Sequence, residues 1–182
     1  NFSPKILAYD IEADELEIGK GEILMISLVG QDFKKVLTWK KQSNQKYVET
    51  FKDEADMLEA FVKYVKQYDP DTLVGYFSDG FDLPYLRARA EKNQIKLNLG
   101  TDNSQPTFSR GRLLTGKIRG IVHIDLLRFI KNAYSQYLQS ETLSLNEVAS
   151  ELLGEKKIEF SPLESANSIK PDWEKFFEYN LQ

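Results

Sequence analysis

The 182-residue sequence predicts an α/β fold, a mixed sheet with helices on its faces. Three observations carry this. Short apolar runs bounded by turn residues recur along the chain. Segments with three- and four-residue apolar spacing begin at Asp53 and then alternate with them. No internal repeat, heptad pattern or low-complexity linker breaks the series, so it reads as one compact domain.

In chain order, residues 5–9 form a short buried strand, and Asp10 and Glu12 stand at its end. Residues 23–29 (ILMISLV) are nearly all apolar between Gly21 and Gly30, the pattern of a central strand covered on both faces. Residues 35–39 make a third, more polar strand, and residues 40–46 a loop. Met57, Leu58, Phe61, Val62 and Val65 then mark an amphipathic helix ending near Asp69-Pro70. Residues 72–76 are another short strand, and residues 82–93 a helix with Pro84 in its first turn. Residues 96–117, rich in Gly, Asn, Ser and Arg, read as an irregular stretch or hairpin. A strand at 121–124 leads into a helix over 126–137, and two more helices cover 143–153 and 172–182.

Composition narrows the chemistry. Hydrophobic residues at 41% and charged residues at 29% exclude a collagen-like or wholly disordered chain. No run approaches a membrane span, and the first residues lack a signal-peptide pattern. Cys is absent, which removes disulfides, thiolate nucleophiles and Cys-zinc sites, and fits an intracellular protein. The single His123 rules out a multi-His metal site and would have to carry any Ser-His triad alone. Asp and Glu number 28 against 24 Lys and Arg, so a metal-binding or proton-moving site would be built from carboxylates. The net charge of −4 is unevenly spread. Residues 87–131 hold ten Lys or Arg and three acids, a local +7 that leaves −11 for the rest. This suggests a phosphate-facing flank opposite an acidic centre, although solvated helix faces give the same count.

Asp10-Ile11-Glu12 is the first candidate. Side chains alternate along a strand, so Asp10 and Glu12 project to the same side. Two carboxylates together at the edge of an apolar strand need a neutralising cation, and oxygen donors suit Mg²⁺ or Mn²⁺. Asp82 follows a strand and a short loop and opens a helix; it either caps that helix or delivers a third carboxylate to the same sheet edge. Asp79, at the loop tip beside Gly80, is the poorer candidate. His123 alternates with apolar neighbours as a packed structural residue does, and Asp125 looks like a helix cap. Tyr179 sits in an aromatic-rich last helix with Trp173, Phe176 and Phe177, at core spacing.

Taken together, these segments resemble the 3′→5′ proofreading exonuclease domain of family B DNA polymerases, of the archaeal type. Tyr9-Asp10-Ile11-Glu12 is similar to the first exonuclease motif, and residues 73–91 (LVGYFSDGFDLPYLRARAE) to the second, with Asp82 as its carboxylate. IRGIVHIDLL at 118–127 and LSLNEVASELLGEKK at 143–157 are similar to intervening segments. The third motif, Tyr-x-x-x-Asp, begins at Tyr179 and reaches its Asp position just after Gln182. Within the second motif, Phe77 stands where the family usually has Asn, and Gly80 replaces a frequent Asn.

The resemblance implies an RNase H-like fold and a metal-dependent 3′→5′ exonuclease that hydrolyses the 3′-terminal phosphodiester of single-stranded or frayed DNA. Asp10, Glu12 and Asp82 would be metal ligands for two Mg²⁺ or Mn²⁺ ions. Together with Tyr179 they would form the catalytic set, Glu12 and Tyr179 orienting the attacking water. Residues 1–182 would be a fragment of a longer polymerase chain, partnered by its other domains and by a DNA 3′ end. It would be a monomer in the cytoplasm, nucleoid-associated through DNA, with no membrane contact. Phe77 motivates an alternative, an exonuclease-like module whose catalysis has decayed and which holds DNA or supports the polymerase. A stand-alone RNase H-like nuclease acting on RNA is a third, lesser reading.

Overall fold

The computed structural model describes residues 3–111, 114–140, 142–155 and 171–182. Lys156 and Lys157, which end one of the family-like segments, and Arg112 of the basic stretch lie outside these residues.

A six-stranded mixed sheet forms the centre, in the order β4-β3-β2-β1-β5-β8. β1 (Ile6–Ala13) runs antiparallel to β2 (Ile23–Gly30), and β2 antiparallel to β3 (Phe33–Thr38). On its other side β1 pairs in parallel with β5 (Thr72–Gly75), which pairs in parallel with β8 (Val122–Asp125). β1 therefore joins an antiparallel half to a parallel half. β4 (Val48–Thr50) adds a parallel strand beyond β3. Its three half-buried residues are too short to show a period, which is why the sequence assigns them to no element. The free edge of β3 recruits them, the Val36 N–H donating to the Tyr47 carbonyl at 2.8 Å and the Phe51 N–H to the Thr38 carbonyl at 2.8 Å.

Helices cover both faces. α1 (Glu54–Tyr68) starts where Asp53 accepts from the Asp56 N–H, and α2 (Asp82–Lys92) follows β5. Their apolar sides, including Phe61, Val65, Leu83 and Tyr85, pack on Leu7, Tyr9, Ile11 and Ile26 in the main core. α5 (Trp173–Leu181) sets Phe176 and Phe177 against Leu24, Met25 and Val36 on the opposite face. α4 (Leu145–Leu153) is capped by Ser144. α3 (Leu126–Ala133) is capped by Asp125 and stops at Tyr134, short of the expected residue 137, because the exposed stretch beyond it has no core to pack on. The expected hairpin is a separate two-stranded sheet, β6 (Thr107–Arg110) and β7 (Leu114–Lys117). Among the described residues, no helix is long and apolar enough to cross a membrane.

Candidate active site

β1 does not end before Asp10; it runs on through Ala13, because Asp10, Ile11 and Glu12 pair with Ser27, Ile26 and Met25 of β2. Period-2 alternation sends Leu7, Tyr9 and Ile11 into the main core and leaves Ala8, Asp10 and Glu12 half-buried on the other face. Both first-motif carboxylates thus share one face, as their spacing requires. Beside Asp10 a cleft of about 280 Å³ opens, lined also by Ser27, Tyr76, Asn180 and Gln182.

Asp82 reaches the same place by a different route. The parallel pairing of β1 with β5 runs from Ile6 to Ala8, and β5 ends at Gly75. The Ile11 N–H, beyond that register, donates instead to Asp82 Oδ1 at 3.1 Å. Asp82 therefore does not cap α2; the residue before the helix is Phe81, which makes no side-chain cap bond. The Asp82 side chain is buried, and burial first, then the charge of Asp10, and more weakly Glu12, hold its carboxyl well above the usual carboxylate range. The Ile11 amide opposes that shift. Among the described residues no group of three or more His, Cys, Asp or Glu side chains is placed to hold a metal ion. The donor set nevertheless suits a hard divalent ion. Three carboxylates repel one another where water is scarce, and Mg²⁺ retains several waters rather than taking an all-protein cage.

α5 supplies a residue that sequence reasoning passed over as a spacer. Asn180 is buried and donates from Nδ2 to Asp10 Oδ2 at 3.2 Å, across 170 positions of sequence. Its Oδ1 is buried without a hydrogen-bond partner among the described residues. The signal was present in the helical period, since Phe176, Phe177 and Asn180 fall on one face. Tyr179 is half-buried and packs, as Trp173 and Leu181 do, against the buried cluster of Leu24, Met25, Val36, Phe176 and Phe177.

A second buried polar group fixes the loop that carries Asp82. Asp125 accepts from the Phe77 N–H at 3.0 Å, the Asp79 N–H at 3.0 Å and the Arg128 N–H at 3.3 Å, capping α3 and pinning the loop together. Asp79 faces inward, accepting from the Gly116 N–H at 2.7 Å and from Arg128 at 3.3 Å. Nε2 of His123 shares hydrogen bonds with the Tyr9 hydroxyl at 3.0 Å and the Ser78 hydroxyl at 3.2 Å. Burial pushes His123 below its ordinary value, against the pull of Asp79, so the ring is neutral at pH 7. Burial, followed by the charge of Asp82, raises the Tyr9 hydroxyl well above its usual range, so it stays a donor. His123 and Asp79 are thus structural, and they hold the second-motif loop against β1.

The basic stretch is not one continuous flank. Arg89 is buried against Glu54, and Arg87, Arg119 and Arg128 pair with Glu91, Asp102 and Asp79. The side chain of Arg110 lies outside the described residues.

Sheet order and flanking helices make an α/β domain consistent with an RNase H-like exonuclease fold. The family model for the exonuclease domain of family B DNA polymerases matches residues 3–148, and the chain belongs to that family. It is 40% identical over 157 residues to a DNA polymerase of Pyrococcus glycovorans, covering 84% of this chain and 20% of that protein. DNA polymerase 1 of Pyrococcus abyssi is 40% identical over 155 residues, 83% of this chain and 20% of its own length. A DNA polymerase of Thermococcus litoralis is 36% identical over 176 residues, 93% of this chain and 10% of its own. The chain thus spans a fifth or less of the length of these relatives.

Proposed function

We propose that this chain is the 3′→5′ proofreading exonuclease portion of a longer DNA polymerase, acting on the unpaired 3′ end of DNA with two Mg²⁺ or Mn²⁺ ions. The observation that carries the reading is the Ile11–Asp82 hydrogen bond, which brings a carboxylate 71 residues away to the strand bearing Asp10 and Glu12. Asp10, Glu12 and Asp82 would hold the ions. Such ions, when bound, supply charge stabilisation at the scissile phosphate and a water of lowered pKa. The chain's own part is to fix those carboxylates rigidly. β1 sets Asp10 and Glu12 by register, the Asp125-pinned loop sets Asp82, and Asn180 orients Asp10. Tyr179, at the margin of α5, would orient the attacking water with Glu12. Water oxygen then bonds to phosphorus and gives up a proton, the bond to the penultimate 3′-oxygen breaks, that oxygen takes up a proton to become a hydroxyl, and a nucleoside 5′-monophosphate leaves. Unpaired ends suit the narrow cleft, because mismatched ends fray at the least cost.

The test is degradation of single-stranded DNA by the full-length protein with Mg²⁺ or Mn²⁺. Asp10→Ala is expected to abolish it; full activity in that variant would overturn the reading. A second reading, a decayed module that only holds DNA, is motivated by Phe77 in the second motif. It wins if the unaltered protein binds primer–template yet shows no metal-stimulated nuclease activity.

A further inference from the structure

Phe77 is an odd residue for its place. Its φ is 59°, in the left-handed region that a bulky side chain occupies only against steric resistance. Burial does not offset this, because the residue is 51% exposed. A strained backbone carrying an exposed aromatic ring is unfavourable for folding, so folding alone gives no reason for phenylalanine here.

The ring's neighbours give a reason. One side of it lies against Gly80, where an added Cβ would meet ring carbons at 2.4 and 2.5 Å. Gly80 is the residue that lets the ring lie across the loop. The ring also borders a cavity of about 180 Å³ between this loop and α3, whose lining includes Leu114, Leu127, Arg128 and Lys131. The two acids in that lining, Asp79 and Asp125, are buried and accept backbone and Arg128 hydrogen bonds. Lys131, by contrast, is exposed on the last turn of α3. An aromatic face, an apolar slot and a cation at its rim match a nucleobase and its phosphate. Phe77 lies five residues before Asp82 on the loop that delivers this carboxylate.

We propose that Phe77 and Gly80 form a stacking platform that takes one nucleobase of single-stranded DNA, with Lys131 on the adjoining phosphate. This rests on the nuclease reading above and adds a strand-binding residue to it. Stacking tolerates every base, whereas an amide at position 77 would offer hydrogen bonds instead.

The experiment places a fluorescent adenine analogue at each of the last three positions of a single-stranded oligonucleotide. Binding to the full-length protein is followed with Ca²⁺ replacing Mg²⁺ to hold off hydrolysis. Stacking on Phe77 is expected to quench one position. Phe77→Ala and Phe77→Asn should remove that quench and weaken binding by about 5- to 100-fold, while Phe77→Trp keeps both. An abasic sugar at the quenched position should abolish the difference between parent and Phe77→Ala. Lys131→Ala should lower the salt dependence of binding by about one phosphate contact. Unchanged quenching and affinity in Phe77→Ala, or an equal loss on the abasic strand, would overturn the platform. Melting temperatures of the variants at or above the parent's exclude misfolding as the cause. Should the unaltered protein neither bind nor degrade single-stranded DNA, the nuclease reading itself fails. If it degrades DNA and Phe77→Ala quenches like the parent, only the platform does.

Discussion

Glu54 offers the sharpest test of how the fold holds its second motif. This side chain, in the first turn of α1, is buried and accepts four hydrogen bonds. They come from the Ile23 N–H at 2.8 Å, Arg89 Nε at 2.8 Å, an Arg89 terminal nitrogen at 2.5 Å and Asn93 Nδ2 at 2.8 Å. Glu54 therefore ties the start of β2 and the last turn of α2 to α1. Glu54→Met strips Arg89 of the carboxylate it is paired with, at a site where both side chains are 5% exposed. Removing one member of such a buried pair costs about 3–5 kcal/mol. For a chain of this size that lowers the melting temperature by roughly 6–20 °C. The double variant Glu54→Met with Arg89→Met, which leaves no buried charge, should recover most of the loss. Urea unfolding followed by tryptophan fluorescence reads this directly, because the Trp39 indole donates to the Ile23 carbonyl at 2.8 Å, beside the bond that Glu54 holds. A loss under about 1 kcal/mol in Glu54→Met, or a double variant as unstable as the two singles summed, would refute the argument.

Three further outcomes are expected. Asp82→Asn keeps an acceptor for the Ile11 N–H yet removes one of three crowded charges. Metal-dependent nuclease activity should fall about 100-fold or more, while the metal-free protein melts at least as high as the parent. The sign follows from Asp82's raised pKa: its ionised form burdens the fold as pH rises above the ordinary value of 3.8, so the variant's advantage should vanish near pH 3 and grow as pH rises from there. Equal melting of variant and parent across that range would argue against the buried charge cluster. Phe77→Gly relieves the left-handed backbone and should stabilise the protein by about 0.5–1 kcal/mol in thermal unfolding; destabilisation would show that the ring serves packing. Asp102, held down to about 2 by hydrogen bonds from Ser104 and then by Arg119, stiffens the loop at 100–104. That contribution is present above pH 3.8 and lost as pH falls toward 2, and a carboxyl titration by NMR centred near 3.8 would contradict it.

Much of this was legible in the sequence, and the exceptions have physical causes. The continuous apolar run of β2 and the helical spacing of Met57 to Val65 announce themselves, because burial selects residues at each structural period. Asp10 and Glu12 were readable as a pair because a strand's alternation is local. Asp82 could be read as helix cap or ligand, since its acceptance of the Ile11 N–H is a contact 71 residues distant. Asn180 escaped altogether for the same reason: nothing within its helix says that Asp10 lies opposite. β4 escaped because three residues show no period, and the net charge of the basic stretch left two readings open because charge counts do not reveal which arginines are paired internally.

The Asn180–Asp10 contact also bears on the order in which this site forms. It closes a loop of 170 residues in a sequence of 182, and the apolar cluster under α5 ties the same helix to β2 and β3. The main core draws on strands and helices that are complete by Ile121, so it can collapse while the rest is still being synthesised. At a synthesis rate of roughly 5–20 residues per second, the final helix follows that core by several seconds. During that interval the carboxylates of β1 stand on a formed sheet without the residue that orients Asp10. The orientation of Asp10 therefore follows the scaffold, and a ribosome stalled before α5 would display the main core without the residue that holds Asp10 in place.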